Sequence, residues 1–175
     1  ATAAALLTPD ALEVDETNLG INATADFADN FDAGFSYDYG EDGAAVVGSL
    51  SSVYTLTVSE AGVDSGLNDV ATGEDVVLYM NGTTVEGRTS SGNAIVFTVT
   101  VASDGVVTLD QQRAVEHPTT DPDEAISLSS AELIQLTRTD TIVDRDGDTD
   151  TEALTLSIGQ ALSFRDDGPE ITATA

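Results

Sequence analysis

The sequence has no cysteine, no lysine and no tryptophan, and it holds one histidine, one methionine and four prolines. Without cysteine there is no disulfide framework, no thiolate metal site and no thiol nucleophile. Five arginines are the only strong bases, set against 32 acids, for a formal net charge of −27. That balance excludes nucleic acid as a partner, because such affinity is built on phosphate neutralisation by Lys and Arg. It also argues against anionic membrane surfaces, which recruit basic segments. No apolar run approaches the roughly 20 residues that span a bilayer, so no membrane insertion is expected. The opening residues 1–7 lack a basic n-region and do not read as a secretory signal peptide. Aromatic residues make up 5% of the chain, few for a sugar-binding platform.

Enzymatic motifs are missing as well. There is no Gly-rich phosphate loop, no Gly-x-Ser-x-Gly elbow and no His-Glu-x-x-His run. His117 is the one side chain that titrates near neutrality, and in its loop of Pro and Asp residues it reads as a bystander. So many carboxylates make a close pair inevitable, yet an acid-pair hydrolase is the least favoured reading. The expectation is a protein that is not an enzyme and has no small-molecule substrate.

What the chain does contain is a core and a strand pattern. Leu, Ile, Val and Phe together number 44, a quarter of the residues. That lies above the roughly 20% below which a highly charged chain stays disordered. Self-repulsion at −27 still works against the compact state, so bound cations or a saline medium are implied. Tyr54, Leu56 and Val58 alternate with threonines, as do Ile95, Phe97, Val99 and Val101 with Val96, Thr98 and Thr100, and Leu154, Leu156 and Ile158 with Thr155 and Ser157. This period of two predicts strands, and shorter runs at 76–80, 84–87 and 106–109 extend the series. Asn81-Gly82 predicts a two-residue hairpin, and Ser103-Asp104-Gly105 a second turn. Ser129-Ser130-Ala131-Glu132 leading into Leu133, Ile134 and Leu136 predicts one short capped helix. The fold class expected is all-β, an antiparallel sandwich of the immunoglobulin-like or cadherin-like kind. Residues 1–10 read as a linker, 11–175 as a single domain, and 166–175 as the linker leaving it; 116–124 reads as an exposed loop.

The densest chemistry is Asp144-Arg145-Asp146-Gly147-Asp148-Thr149-Asp150. Carboxylates at Asp144, Asp146, Asp148 and Asp150, with a glycine to let the loop curl, suit a hard cation that takes six to eight oxygens. It is not an EF-hand loop, since Gly147 stands fourth and Thr155 holds the twelfth position. A soft transition metal does not fit a chain without Cys and with one distant His. The competing reading is a solvated acidic turn. Two reversals of the chain after this loop are expected to bring Asp166 and Asp167 to the same pole. Asp15 and Glu16 are expected at the entry pole, facing the exit pole of a preceding copy. Glu41-Asp42-Gly43 is a weaker case of the same kind.

Leu12-Glu-Val-Asp-Glu-Thr17, Ala25-Asp-Phe27 and Tyr39-Gly-Glu-Asp-Gly43 resemble the start of a repeat found in giant bacterial adhesins. The resemblance continues through Gly62-Val-Asp-Ser-Gly-Leu67, Val85-Glu-Gly-Arg88, Thr108-Leu-Asp-Gln111 and Asp144-Arg-Asp-Gly-Asp148. It ends with Ile158-Gly-Gln-Ala-Leu-Ser-Phe164 and Asp166-Asp-Gly-Pro169. The chain from about residue 11 is similar to the tandem extender repeats of RTX-type, type I-secreted adhesins. The resemblance implies a Ca2+-stiffened β-sandwich, repeated in a stalk at the bacterial cell surface, whose partners are neighbouring copies. It also places the secretion signal elsewhere in the full protein. Two departures stand out: the glycine-aspartate nonapeptides of the RTX β-roll are missing, and Arg145 stands between loop carboxylates. The alternative function is a calcium-dependent adhesin domain that binds a carbohydrate or a surface.

Overall fold

The computed structural model describes residues 8–174. In chain order its strands are β1 (Leu12–Asp15), β2 (Ala23–Asp26), β3 (Leu50–Val58), β4 (Val63–Asn68), β5 (Asp75–Asn81) and β6 (Thr84–Thr89). There follow β7 (Ile95–Val101), β8 (Val106–Gln111), β9 (Ala125–Ser127), β10 (Ile134–Val143), β11 (Thr149–Ser157) and β12 (Leu162–Arg165). They make an all-β sandwich. One layer is a six-stranded sheet in the order β2-β8-β7-β6-β5-β4. Two three-stranded sheets, β11-β10-β3 and β1-β12-β9, cover it: β3 packs across β5, β6 and β7, and Phe164 of β12 meets Phe97 of β7 with ring centroids 5.1 Å apart.

The alternating residues supply the core. Leu56, Leu136 and Leu156 of one sheet face Val76, Leu78, Val85 and Val99 of the other, all buried. Each such side chain contributes about 1.5–3 kcal/mol relative to exposure. All strand pairs are antiparallel except β1 with β12, which run parallel in the register Leu12↔Leu162 to Asp15↔Arg165. The chain therefore enters this ribbon at one end and leaves it at the other.

Two local expectations are corrected. The capped helix at 129–136 is absent: Ala131–Leu133 form a single 3-10 turn, and β10 begins at Ile134. Ser130 spends its hydroxyl on the Glu132 carboxylate, at 2.6 Å, and caps no amide. Ile134 and Leu136 alternate with Gln135 and Thr137, so the two-residue period governs this segment. The α-helix lies instead at α1 (Ala28–Asp32), where it buries Phe31. The hairpin between β5 and β6 is also shifted by one residue. Asn81 pairs with Thr84, which leaves Gly82 and Thr83 as the turn. Gly82 takes φ +61°, the first central position of a type II′ turn, while Asn81 donates its amide to Glu86 at 2.8 Å. The turn at 103–105 is present, closed by Gly105 N–H to Ala102 O at 3.0 Å.

Buried arginine pairs fasten the segments that strands do not hold. Arg138, on β10, donates through Nε to Asp140 at 2.8 Å, and through Nη1 to Asp32 at 2.7 Å and to the Ala28 carbonyl at 3.2 Å. Its guanidinium lies 5.0 Å from the centroid of Phe35 and also contacts Tyr37, whose hydroxyl donates to Asp140. Burial, together with that carboxylate, pushes the Tyr37 phenol up to about 12. One side chain thus ties α1 and residues 34–37 onto the sheet. Arg113 forms a two-pronged pair with the fully buried Asp69, at 2.8 and 2.7 Å.

Removing one partner of a buried pair strands the other charge and costs about 3–5 kcal/mol, whereas exposed pairs contribute about 0.2–1 kcal/mol. Arg138→Ala is expected to lower the unfolding free energy by the larger amount in urea titration, and Arg165→Ala, whose pairs with Glu13 and Asp123 are more exposed, by the smaller. The Arg113 hydrogen bonds hold the Asp69 carboxyl below its ordinary value. A depressed carboxylate stabilises fully above its unfolded pKa of about 3.9 and loses that contribution as pH falls through the folded value. The stability gap between wild type and Arg113→Ala should therefore shrink as pH falls below about 4, read from urea midpoints across that range.

Candidate metal centres

Two groups of donors converge among the described residues. The first is at the turn between β10 and β11. Val143 and Thr149 are its last paired residues, and Asp144 organises what lies between. The Asp144 Oδ1 accepts the amides of Gly147 and Asp148 at 3.0 and 2.8 Å, and Asp144 N–H returns to Asp148 O at 3.0 Å. The sharp reversal puts Gly147 at φ +99°, where a side chain would be strained. A distant segment lies along this turn: Ala44 bridges Asp144, Ala45 N–H donates to Val143 O, and Arg145 N–H donates to Gly43 O. Asp42 is thereby brought in, so that carboxylate oxygens of Asp42, Asp144 and Asp146 lie within 4.8 Å of one another. Asp148 and Asp150 instead line an adjoining cleft of about 230 Å³ with Asp38, Tyr39 and Asp144. Arg145 makes no ion pair among the described residues.

The charges here are unbalanced. A hydrogen bond to Asp144, then the charges of Asp144 and Asp148, push the Asp146 carboxyl above its ordinary value. Asp144 is driven the other way, by the shared hydrogen bond and by the amides of its own turn. Without a cation the two carboxylates repel, and their protonation is pushed apart in opposite directions. The donor set is all oxygen, carried by turns, and fits a hard divalent ion.

The second group joins residues from both ends of the chain and from the loop after β8. Asp15 accepts the Thr17 amide at 2.9 Å and caps the 3-10 turn Glu16–Asn18. That turn sends Glu16 inward, where its Oε1 accepts from Gln111 Nε2 and from Val115 N–H, both at 2.8 Å. His117 enters from the loop, with Nε2 3.6 Å from the same oxygen. Asp166, fixed by its amide to Glu124 O at 2.7 Å, completes a set whose donor atoms lie within 4.8 Å of one another.

These positions correct three expectations. Asp166 does not join the Asp144 turn: β12 leaves the β10-β11 hairpin and pairs with β1 and β9 in another sheet. Asp15 and Glu16 do not wait for a preceding copy's exit, because parallel pairing sets Asp15 opposite Arg165 of its own chain. Thr17 accordingly donates to Asp167 within the domain, at 3.5 Å. The loop 116–124 is mostly exposed, as expected, but the His117 side chain turns inward from it and is 3% exposed. The first residues of the proposed exit linker are also packed, with Gly168 N–H on Pro122 O at 3.2 Å. Residues 1–7 of the proposed entry linker lie outside the described residues. Asp15 and Asp167 flank the second group without being members of it. Asp38 gave no signal in the sequence, lying about a hundred positions from its partners.

Two clefts adjoin the acidic turn. The larger, about 250 Å³, is lined by residues 34–37 with Asp140, Ile142, Asp150 and Glu152. Phe35 and Tyr37 stack beside it, with planes 4° apart. Among the described residues no helix is long and apolar enough to cross a membrane.

In metal-free protein, Asp146 should titrate above its ordinary value. A raised carboxyl pKa means that the folded state holds its proton more tightly, so stability from this turn is present at low pH and is lost as pH rises through that pKa. Side-chain carboxyl NMR in chelator should show the raised titration, and Asp144→Asn should return it towards normal. An unshifted Asp146 in wild type would contradict this repulsion by Asp144 and Asp148.

A family model described as "Domain of unknown function (DUF5801)" matches residues 11–157. No curated protein and no solved structure matches the chain.

Proposed function

Since the chain belongs to the DUF5801 family, for which no function is defined, we propose from its geometry that it is a calcium-stabilised structural repeat. In this reading it extends a large adhesin exported by type I secretion to the bacterial surface, and it has no catalytic role. The observation that carries the proposal is the parallel pairing of β1 with β12. Entry at one end and exit at the other is what an end-to-end array of copies requires. Had the terminal strands been antiparallel, the chain would have entered and left at one end, and consecutive copies would have folded back.

Calcium enters through Asp42, Asp144 and Asp146, with Asp38, Asp148 and Asp150 alongside. Binding there would offset the repulsion among these carboxylates with a divalent charge and fasten residues 38–45 to the β10-β11 turn. Calcium tolerates the irregular geometry of a turn better than magnesium, which demands a near-ideal octahedron. A second reading, a ligand-binding adhesin domain, draws on the cleft beside Phe35 and Tyr37, because Tyr37 is 39% exposed and supplies part of an aromatic platform.

The test has two arms. For the single domain, calcium at a hundredfold excess over its Kd adds about 2.7 kcal/mol, so the melting temperature should rise from chelator to calcium and rise less in magnesium. Asp144→Asn with Asp146→Asn should abolish the calcium response. For a protein of two tandem copies, solution scattering should give an elongated particle whose maximum dimension is about twice that of one copy. A folded-back pair, or melting that ignores calcium at matched ionic strength, overturns the proposal. A glycan array that is positive only in calcium favours the second reading.

A further inference from the structure

The Glu16, His117 and Asp166 group has a feature that the acidic turn lacks. Among the described residues, the buried side-chain polar atoms without a hydrogen-bond partner are three: both ring nitrogens of His117 and Oε1 of Gln111. All belong to the two residues that adjoin the Glu16 carboxylate. Gln111 already spends its amide nitrogen on Glu16 and on the Arg113 carbonyl, at 2.8 and 3.1 Å. Each buried orphan loses its hydration without a replacement bond, and native chains rarely leave several side by side. Something is expected to sit between these atoms.

We propose that this is a site for a divalent transition ion of the zinc class, bound by His117, Glu16 and Asp166. An imidazole nitrogen with two carboxylates is the borderline donor set such ions take, whereas calcium selects oxygen alone. The spacing agrees. Bonds of about 2.0–2.1 Å in a tetrahedron put neighbouring donors about 3.4 Å apart; His117 Nε2 and Glu16 Oε1 are 3.6 Å apart, and Asp166 lies within 4.8 Å. Each carboxylate is also oriented by backbone donors, Asp166 by the Asp167 amide at 2.9 Å and Glu16 by the Val115 amide at 2.8 Å. Three protein donors leave a fourth position for water or for a donor from a neighbour. The Gln111 amide holds the Glu16 carboxylate in place from the outside.

The consequence is mechanical. The ion would clip the turn after β1, the loop after β8 and the residues after β12 to one point at the end where the chain leaves. Glu16 and Asp166 are 150 positions apart, so the clip closes nearly the whole domain. It is independent of the calcium turn, and the two can fail separately.

The experiment uses the untagged chain, whose one histidine makes His117 a clean reporter. In millimolar calcium, zinc should bind with one ion per chain by calorimetry and shift the His117 ring signals in NMR stoichiometrically. Cobalt should give the visible bands of a four-coordinate nitrogen-oxygen site. His117→Gln and Asp166→Asn should abolish binding, Gln111→Leu should weaken it about tenfold or more as outer partners do, and Asp146→Asn should leave it unchanged. If the His117 signals do not move at one equivalent of zinc, or if His117→Gln binds as wild type does, the site is overturned and the ions belong to the acidic surface. The wild-type NMR result decides even if a variant fails to fold.

Discussion

Five guanidinium groups must serve a chain with 32 carboxylates, and that scarcity of positive charge governs where everything else can lie. Four of the five are committed to ion pairs inside or along the fold: Arg88 with Glu86, Arg113 with Asp69, Arg138 with Asp140 and Asp32, and Arg165 with Glu13 and Asp123. The last three hold down segments without strand pairing, namely the loop after β4, α1 with residues 34–37, and the exit of β12. The fifth, Arg145, stands among the carboxylates of the acidic turn and pairs with none of them. Beyond these pairs the acids have to repel, share protons or take up cations.

The two donor groups answer that shortage differently. At the β10-β11 turn the carboxylates lie near the surface, and their repulsion shows as a raised Asp146 carboxyl beside a lowered Asp144. At the Glu16 group the Glu16 and His117 side chains are buried beside a half-buried Asp166, and the strain shows as unpartnered nitrogen and oxygen atoms. The first arrangement suits a hard ion exchanged with solvent, the second a tighter ion with nitrogen in its shell. One cation at each would fasten a different region, the first the loop at 38–45 and the second the chain's two terminal strands. A repeat that carries tension along a stalk would gain from both, since parallel β1 and β12 put the pulling force along a ribbon of only four residue pairs.

Some of this was legible in the residues. The alternation at Ile95 to Val101 corresponds to β7 without a residue's error, and Asp144 to Asp150 announced a carboxylate-rich turn. Local pattern misled where two periods competed. Ser129 and Glu132 imitate a capping box, yet Ile134 and Leu136 bury on alternate positions of a long strand, and that burial outweighs a single cap. The hairpin after β5 slipped by one because Asn81 had a use elsewhere, as a donor to Glu86. His117 looked idle in a loop of prolines and acids, because nothing in its neighbours along the chain indicates that the loop turns it inward.

The all-β class, the strand periods and the charge imbalance belong to the sequence by itself, because each arises from neighbours a few positions apart or from plain counts. Tertiary structure alone decided which carboxylates meet. Asp42 reaches Asp144 through an isolated bridge at Ala44, and Glu16 reaches Asp166 because β1 pairs with β12 in parallel. Sequence spacing carries no information about a pairing 150 positions long. That pairing is selected by the burial of Leu12, Val14, Leu162 and Phe164 in the shared core, and the donors that follow these strands are carried to their places with them.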